Sequence, residues 1–106
     1  ARTIVAAPDG RAWLNSTGNP GMASGGMGDV LSGIIGGLLA QGYASETACC
    51  LGVFLHGAAA DRFAAEQGEA GMLARDVIDN LPRTIRALYQ AGQIDPHAAD
   101  YSDILS

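Results

Sequence analysis

Gly25-Gly26-Met27-Gly28-Asp29-Val30-Leu31-Ser32-Gly33 is the stretch on which the fold turns. It is entered through Ser16-Thr17-Gly18-Asn19-Pro20-Gly21-Met22-Ala23-Ser24, so residues 16–28 hold five Gly and one Pro. That is too many breakers for an ordinary helix or strand. A loop of this length inside a compact domain is usually a functional one. Beyond it the pattern changes period. Val30, Leu31, Ile34, Ile35, Leu38 and Leu39 form one helical stripe, with Asp29 expected to begin the helix. Gly33, Gly36 and Gly37 lie off that stripe. Each costs about 1 kcal/mol relative to Ala in a helix, so the reading predicts a buried helix with something packed close to its backbone. Gly42 supplies the stop.

Working outward, Thr3-Ile4-Val5-Ala6-Ala7 and Ala12-Trp13-Leu14-Asn15 are short extended runs around Pro8-Asp9-Gly10. Pro fixes φ, Asp bonds the local backbone and Gly accepts positive φ, which makes a β-hairpin. Downstream, Ser45 is expected to cap a helix reaching about Ala65 and ending at Gln67-Gly68; its first half is apolar nearly all round and therefore interior. A third helical segment starts near Leu73 to Asp76. Pro82 is read as restarting it rather than sitting inside it, and it continues through Ile85, Leu88 and Tyr89 to Gly92. The organisation expected is a hairpin at 1–15, a Gly-rich loop at 16–28, a helical region at 29–92 and a tail at 93–106.

The loop has chemical meaning. Exposed Gly N–H groups followed by the unpaired N–H groups and positive dipole end of a helix bind an anion, typically a phosphoryl group, without Lys. Gly25, Gly26, Met27 and Gly28 are the candidate phosphate-binding positions. The arrangement is neither G-x-x-x-x-G-K-[ST] nor a dinucleotide fingerprint. Asp29 stands where the anion would be. Either it caps its helix, or it acts as a general base on an alcohol attacking the terminal phosphoryl group. Asn19 either orients a substrate or satisfies turn N–H groups. His56 reads as a packed, hydrogen-bonded core residue, Trp13 as packing under the hairpin, and Asp61 and Asp76 as solvent-facing or capping.

Composition narrows the classes. The net charge is −5 and the six cationic side chains are all Arg, with no Lys in the 106 residues. A phosphate-backbone binder needs a positive surface, so nucleic acid is excluded as a partner. The apolar, uncharged stretch from Val30 to Tyr43 is too short for a span of about 20 apolar residues, which excludes a membrane helix there. Adjacent Cys49 and Cys50 make poor structural bridges and point to a reducing compartment, and no targeting signal precedes the first strand. The expected location is the cytoplasm. No Cys/His spacing suits zinc, so no protein-held transition metal is expected. The chain opens at Ala1-Arg2-Thr3 without Met, as the C-terminal part of a longer protein would.

The sixteen positions from Gly18 to Gly33, which include Asn19-Pro20-Gly21-Met22, closely resemble the C-terminal signature of the ADP/ATP-dependent NAD(P)H-hydrate dehydratases, a branch of the ribokinase-like superfamily. Leu55-His56-Gly57-Ala58-Ala59-Ala60-Asp61 and Gly71-Met72-Leu73-Ala74-Arg75-Asp76 share the resemblance. It implies an α/β fold class: a C-terminal fragment of a ribokinase-like three-layer fold, made of a β-hairpin, a Gly-rich anion loop and about three helices. It also implies a repair reaction. Hydrated NADH or NADPH is phosphorylated on its ring hydroxyl by ADP or ATP with Mg²⁺, and loss of phosphate re-forms the double bond. By position, Asp29 would be the catalytic base touching the hydrated ring, with Gly28 on the nucleotide phosphate. Ala1, Arg2 and Thr3 would end a K-G-A-x-T nucleotide-binding stretch. Met27 stands where related kinases carry Thr or Ala, which the backbone N–H tolerates. A homo-oligomer is compatible with this reading. The competing classes are a vitamin-precursor or sugar kinase of the same superfamily, and an inactive fragment whose Gly-faced helices lack partners.

Overall fold

A computed structural model describes residues 4–94 of the chain. The elements run β1 (Ile4–Ala6), β2 (Ala12–Leu14), a 3₁₀ turn (Pro20–Ala23), α1 (Met27–Ala40), α2 (Ser45–Gln67) and α3 (Ala74–Gln90). The expected Ala1, Arg2 and Thr3 contacts, and most of the expected tail (95–106), lie outside the described residues.

The hairpin forms as its turn chemistry dictates. β1 and β2 pair antiparallel with Val5 opposite Trp13. Gly10 takes φ 93°, and Asp9 accepts from the Arg11 backbone N–H at 3.1 Å and from its Nε at 2.7 Å. The Arg11 guanidinium, 5.4 Å from the Trp13 ring centroid, also reaches Glu46 Oε1 at 2.6 Å. That ion pair ties the hairpin to the start of α2.

α2 is the centre of the molecule. Twelve of its residues, from Thr47 to Phe63, are buried, as its apolar first half requires. Two cores form along it. Ala59, Ala60 and Phe63 pack with Met27, Met72 and Val77 in one; Leu51, Leu55 and Ile94 form the other, with Leu38, Leu81 and Leu88 against it. Gly57 is where the Gly-rich loop presses on α2. A Cβ there would lie 2.7 Å from both the carbonyl carbon and Cβ of Thr17, and Thr17 Oγ1 donates to the Phe54 carbonyl at 3.1 Å across the same contact.

The structure revises several local expectations. α1 begins at Met27, two residues before Asp29, with Gly26 at its N-cap in the left-handed region. α2 is capped by Ala44 rather than Ser45, which is its first helical residue. α3 runs unbroken through Pro82. Pro82 offers no N–H to the Ile78 carbonyl, but both Ile78 and Pro82 are exposed, so that carbonyl can be solvated at little cost. On the opposite face Asn80 Nδ2 donates to the Asp76 carbonyl at 2.8 Å and Thr84 Oγ1 to the Asn80 carbonyl at 2.7 Å, holding the helix around the proline. The stripe on α1 packs only half-buried, and Gly33, Gly36 and Gly37 face open space among the described residues. The close neighbour expected for them is absent from this part of the molecule. Cys49 is half-buried and Cys50 buried, and neither forms a disulfide among the described residues; no described helix is long and apolar enough to cross a membrane.

Candidate active site at the start of α1

The N-terminus of α1 is uncapped. Gly26 adopts φ 87°, which only Gly enters freely, and no side chain bonds the first turn. The first i→i−4 bond runs from Val30 N to Gly26 O at 3.1 Å. The N–H groups of Met27, Gly28 and Asp29 therefore have no partner among the described residues. Gly25 and Gly28 are exposed, and a Cβ on either would meet nothing within 4 Å. Unpaired amides, a positive dipole end and open space together make a surface that accepts an anion.

Asp29 sits at the third position of this helix, exposed, with no hydrogen bond or ion pair to a described residue. The capping alternative is thus not what the geometry shows. Asp29 lines a groove of about 470 Å³ between α1 and α3, together with Val30, Gly33, Ile34, Ile78 and Leu81. An unpaired carboxylate beside an apolar groove is free to take a proton from a hydroxyl presented there.

Asn19 does not share that groove. Its side-chain oxygen accepts from Gly21 N at 3.0 Å and its amide donates to Asp61 Oδ1 at 2.8 Å, so both ends of the side chain hold the loop. Asp61 completes the clamp by accepting from Gly18 N at 2.9 Å. Asp61 was expected to face solvent or cap a helix; instead it is half-buried and anchors the loop to α2. Asp76 does cap α3, accepting from Leu73 N at 2.8 Å while its own N–H donates to the Leu73 carbonyl at 2.9 Å.

On the other side of α1 lies a second cavity of about 480 Å³, lined by Asn19, Pro20, Met22, Ala23, Met27, Gly28, Leu31 and His56. His56 is packed as expected, with 7% of its surface exposed, but its buried Nε2 has no hydrogen-bond partner. Burial pushes its pKa below the usual 6.5. Sequence reasoning missed this unpaired atom, because nothing local in Leu55-His56-Gly57 marks which loop covers it.

The family model for NAD(P)H-hydrate dehydratases matches residues 1–83. The chain belongs to the NAD(P)H-hydrate dehydratase family. It is 52% identical over 88 residues to the bifunctional NAD(P)H-hydrate repair enzyme of Moorella thermoacetica, covering 83% of this chain and 17% of that one. It is 51% identical over 77 residues to the ADP-dependent (S)-NAD(P)H-hydrate dehydratase of Neisseria meningitidis serogroup B, covering 72% and 26%. Among solved structures it matches the ADP/ATP-dependent NAD(P)H-hydrate dehydratase of Bacillus subtilis co-crystallised with ATP/Mg²⁺, with TM-score 0.77 and 41% identity, covering 80% of this chain and 31% of that one. The chain thus spans under a third of each of these relatives. The hairpin and three helices correspond to an α/β portion of that kinase-like fold.

Proposed function

We propose that this chain supplies the phosphoryl-transfer end of an ADP- or ATP-dependent NAD(P)H-hydrate dehydratase. The observation that carries the reading is the uncapped first turn of α1, whose free amides lie beside the unpaired carboxylate of Asp29. In this reading, the N–H groups of Met27 and Gly28, with the exposed Gly25-Gly26 backbone, hold the terminal phosphoryl group. They stabilise the charge that builds on its oxygens as it transfers.

Asp29 accepts the proton of the hydrated ring's hydroxyl as that oxygen attacks phosphorus. The nucleotide leaves one phosphoryl group shorter. The ring phosphate is then a far better leaving group than hydroxide, and its departure with the neighbouring ring proton re-forms the double bond. Among the described residues no three His, Cys, Asp or Glu side chains come together as a metal site. A magnesium ion would come to this chain on the nucleotide's phosphates, where it would offset their charge. Two relatives support the reading by name: the Neisseria protein is called ADP-dependent, and the Bacillus structure was obtained with ATP/Mg²⁺.

The test is Asp29→Asn in the protein that carries this chain. Dehydration of hydrated NADH should fall by more than about 100-fold, within the usual range for a general base, while ADP binding by calorimetry stays close to wild type. Turnover within about tenfold of wild type would remove Asp29 from the chemistry. Thiazole and pyrimidine alcohols offered as acceptors should not be phosphorylated; efficient use of either would assign the site to a vitamin kinase.

A further inference from the structure

The Gly-rich loop enters along one face of α2. Asn15 Nδ2 reaches the Val53 carbonyl at 3.5 Å and Thr17 Oγ1 donates to the Phe54 carbonyl. The Thr17 backbone then rests on Gly57, and Asp61 takes Gly18 N and Asn19 Nδ2. Positions 53, 57 and 61 are four apart, so these contacts stack on one face over about 12 Å of helix. The Val53 and Phe54 contacts use main-chain carbonyls, which any residue offers. At Asp61 the tie is made by a half-buried side chain, and along the loop it comes last before the cradle. From there the path to the cradle is short. Asn19 Oδ1 accepts from Gly21 N at 3.0 Å, and Gly21 is wedged against the α2–α3 loop: a Cβ on it would lie 2.6 Å from the Glu69 carbonyl oxygen. Met22 follows in the same turn and packs against the core that holds Met27, the first residue of α1.

The polarity of the tie is matched throughout. A carboxylate only accepts, whereas an amide both donates and accepts. Gly18 N and Asn19 Nδ2 meet the two oxygens of Asp61, and Gly21 N meets the oxygen of Asn19. Hydrogen bonds to a carboxylate are also the stronger kind. Asp61→Asn keeps the shape and removes one acceptor. The new amide then opposes Asn19 Nδ2 or Gly18 N, donor against donor, or Asn19 turns over and opposes Gly21 N. In every arrangement one loop N–H is left without an acceptor. Exchanging the two residues, Asp61→Asn together with Asn19→Asp, restores all three bonds. The amide at 61 accepts from Gly18 N and donates to the carboxylate at 19, which still accepts from Gly21 N.

Resting on the phosphoryl-transfer reading above, we propose that Asp61 is a positioning residue for that reaction: through Gly18 and Asn19 it fixes the turn that sets the amides of Met27 and Gly28 against the transferring phosphoryl group. Asp61 touches neither nucleotide nor acceptor. Its influence is on how well the cradle fits the charge that develops during transfer, so it acts on kcat more than on ground-state binding.

The experiment compares four forms of the protein that carries this chain: wild type, Asp61→Asn, Asn19→Asp and the double exchange. It measures kcat per folded molecule and KM for hydrated NADH with ADP or ATP as donor, with the folded fraction taken from urea unfolding and the ADP dissociation constant from calorimetry. Each single variant should lose at least about tenfold in kcat, since misplacing reacting groups by about 1 Å costs up to about 100-fold. The hydrate KM and the ADP dissociation constant should stay within about threefold, the signature of an interaction felt mainly in the transition state. The double exchange should bring kcat back to within about threefold of wild type, a coupling that independent residues do not show. A kcat per folded molecule unchanged in the single variants, a loss confined to the hydrate KM, or a double exchange no better than the single variants each overturns the proposal. Where one single variant does not fold, the other serves in its place. If neither folds while the double exchange does, the pair serves folding alone and the positioning role falls. Wild-type protein that dehydrates hydrated NADH with neither nucleotide overturns the phosphoryl-transfer reading itself, a result distinct from an active wild type whose variants match it.

Discussion

At the scale of single residues, the site is built from groups whose partners are withheld and groups whose partners are doubled. Asp29 has none among the described residues, whereas Asp61 takes two loop donors, Gly18 N and Asn19 Nδ2. The free carboxylate can do chemistry because the clamped one holds the loop still. His56 carries a consequence for pH. Its folded pKa lies below the unfolded value near 6.5 because burial disfavours the charged ring. Above that value the ring is neutral in both states and contributes nothing. As pH falls below about 6.5 the unfolded chain takes up the proton first, so stability falls with pH until the folded pKa is passed. Urea unfolding at pH 7.5 and 5.5 should therefore show a larger loss in wild type than in His56→Gln. Equal losses would mean that the imidazole titrates alike in both states. Asp9, held below its usual carboxylate range by hydrogen bonds from Arg11, lies outside this window.

At the scale of elements, the decisive packing is between the Gly-rich loop and α2. The periodicity that marks α2 as interior was plain in Cys49, Leu51, Val53 and Phe54, but the reason for Gly57 was not. It is the backbone of Thr17, which a side chain on α2 would displace. Gly57→Ala should cost about 2 kcal/mol or more through this overpacking and should weaken ADP binding as well, because the loop that carries Asn19 would move. Chemical denaturation and calorimetry on the same variant check both, and a stability within about 0.5 kcal/mol of wild type would show that the loop yields freely. Pro82 teaches the opposite lesson about legibility. Proline chemistry alone argues for a break, yet α3 continues because its Val77, Asn80 and Thr84 face is buried and outweighs one lost hydrogen bond on the wet side.

At the scale of the molecule, α2 is wrapped and α1 is not. Leu39 is 44% exposed and Ile78 51%, and the Gly-rich sides of α1 meet nothing among the described residues. With no neighbour there, Gly36→Ala in this chain should raise stability by up to about 1 kcal/mol, the helix-propensity difference between the two residues. Urea unfolding measures it. A loss instead would show that other parts of the protein press on that side of α1. The solved dehydratase chain is about three times longer than the portion this chain matches, so the same substitution in a longer protein is a probe of what covers the helix.

By itself the sequence determined the hairpin, the non-repetitive glycine run, the three helical regions and the placement of Asp29 in a first turn. All of these follow from local dihedral preference and from the period of apolar residues, which neighbours in the chain encode. Only the tertiary structure decided that Asn19 serves the loop, that Asp61 reaches across 43 residues to clamp it, and that Asp29 and His56 stand on opposite sides of α1. Those outcomes depend on which surfaces meet after the chain has folded. The partner of a side chain is then set by space and desolvation rather than by its neighbours in sequence.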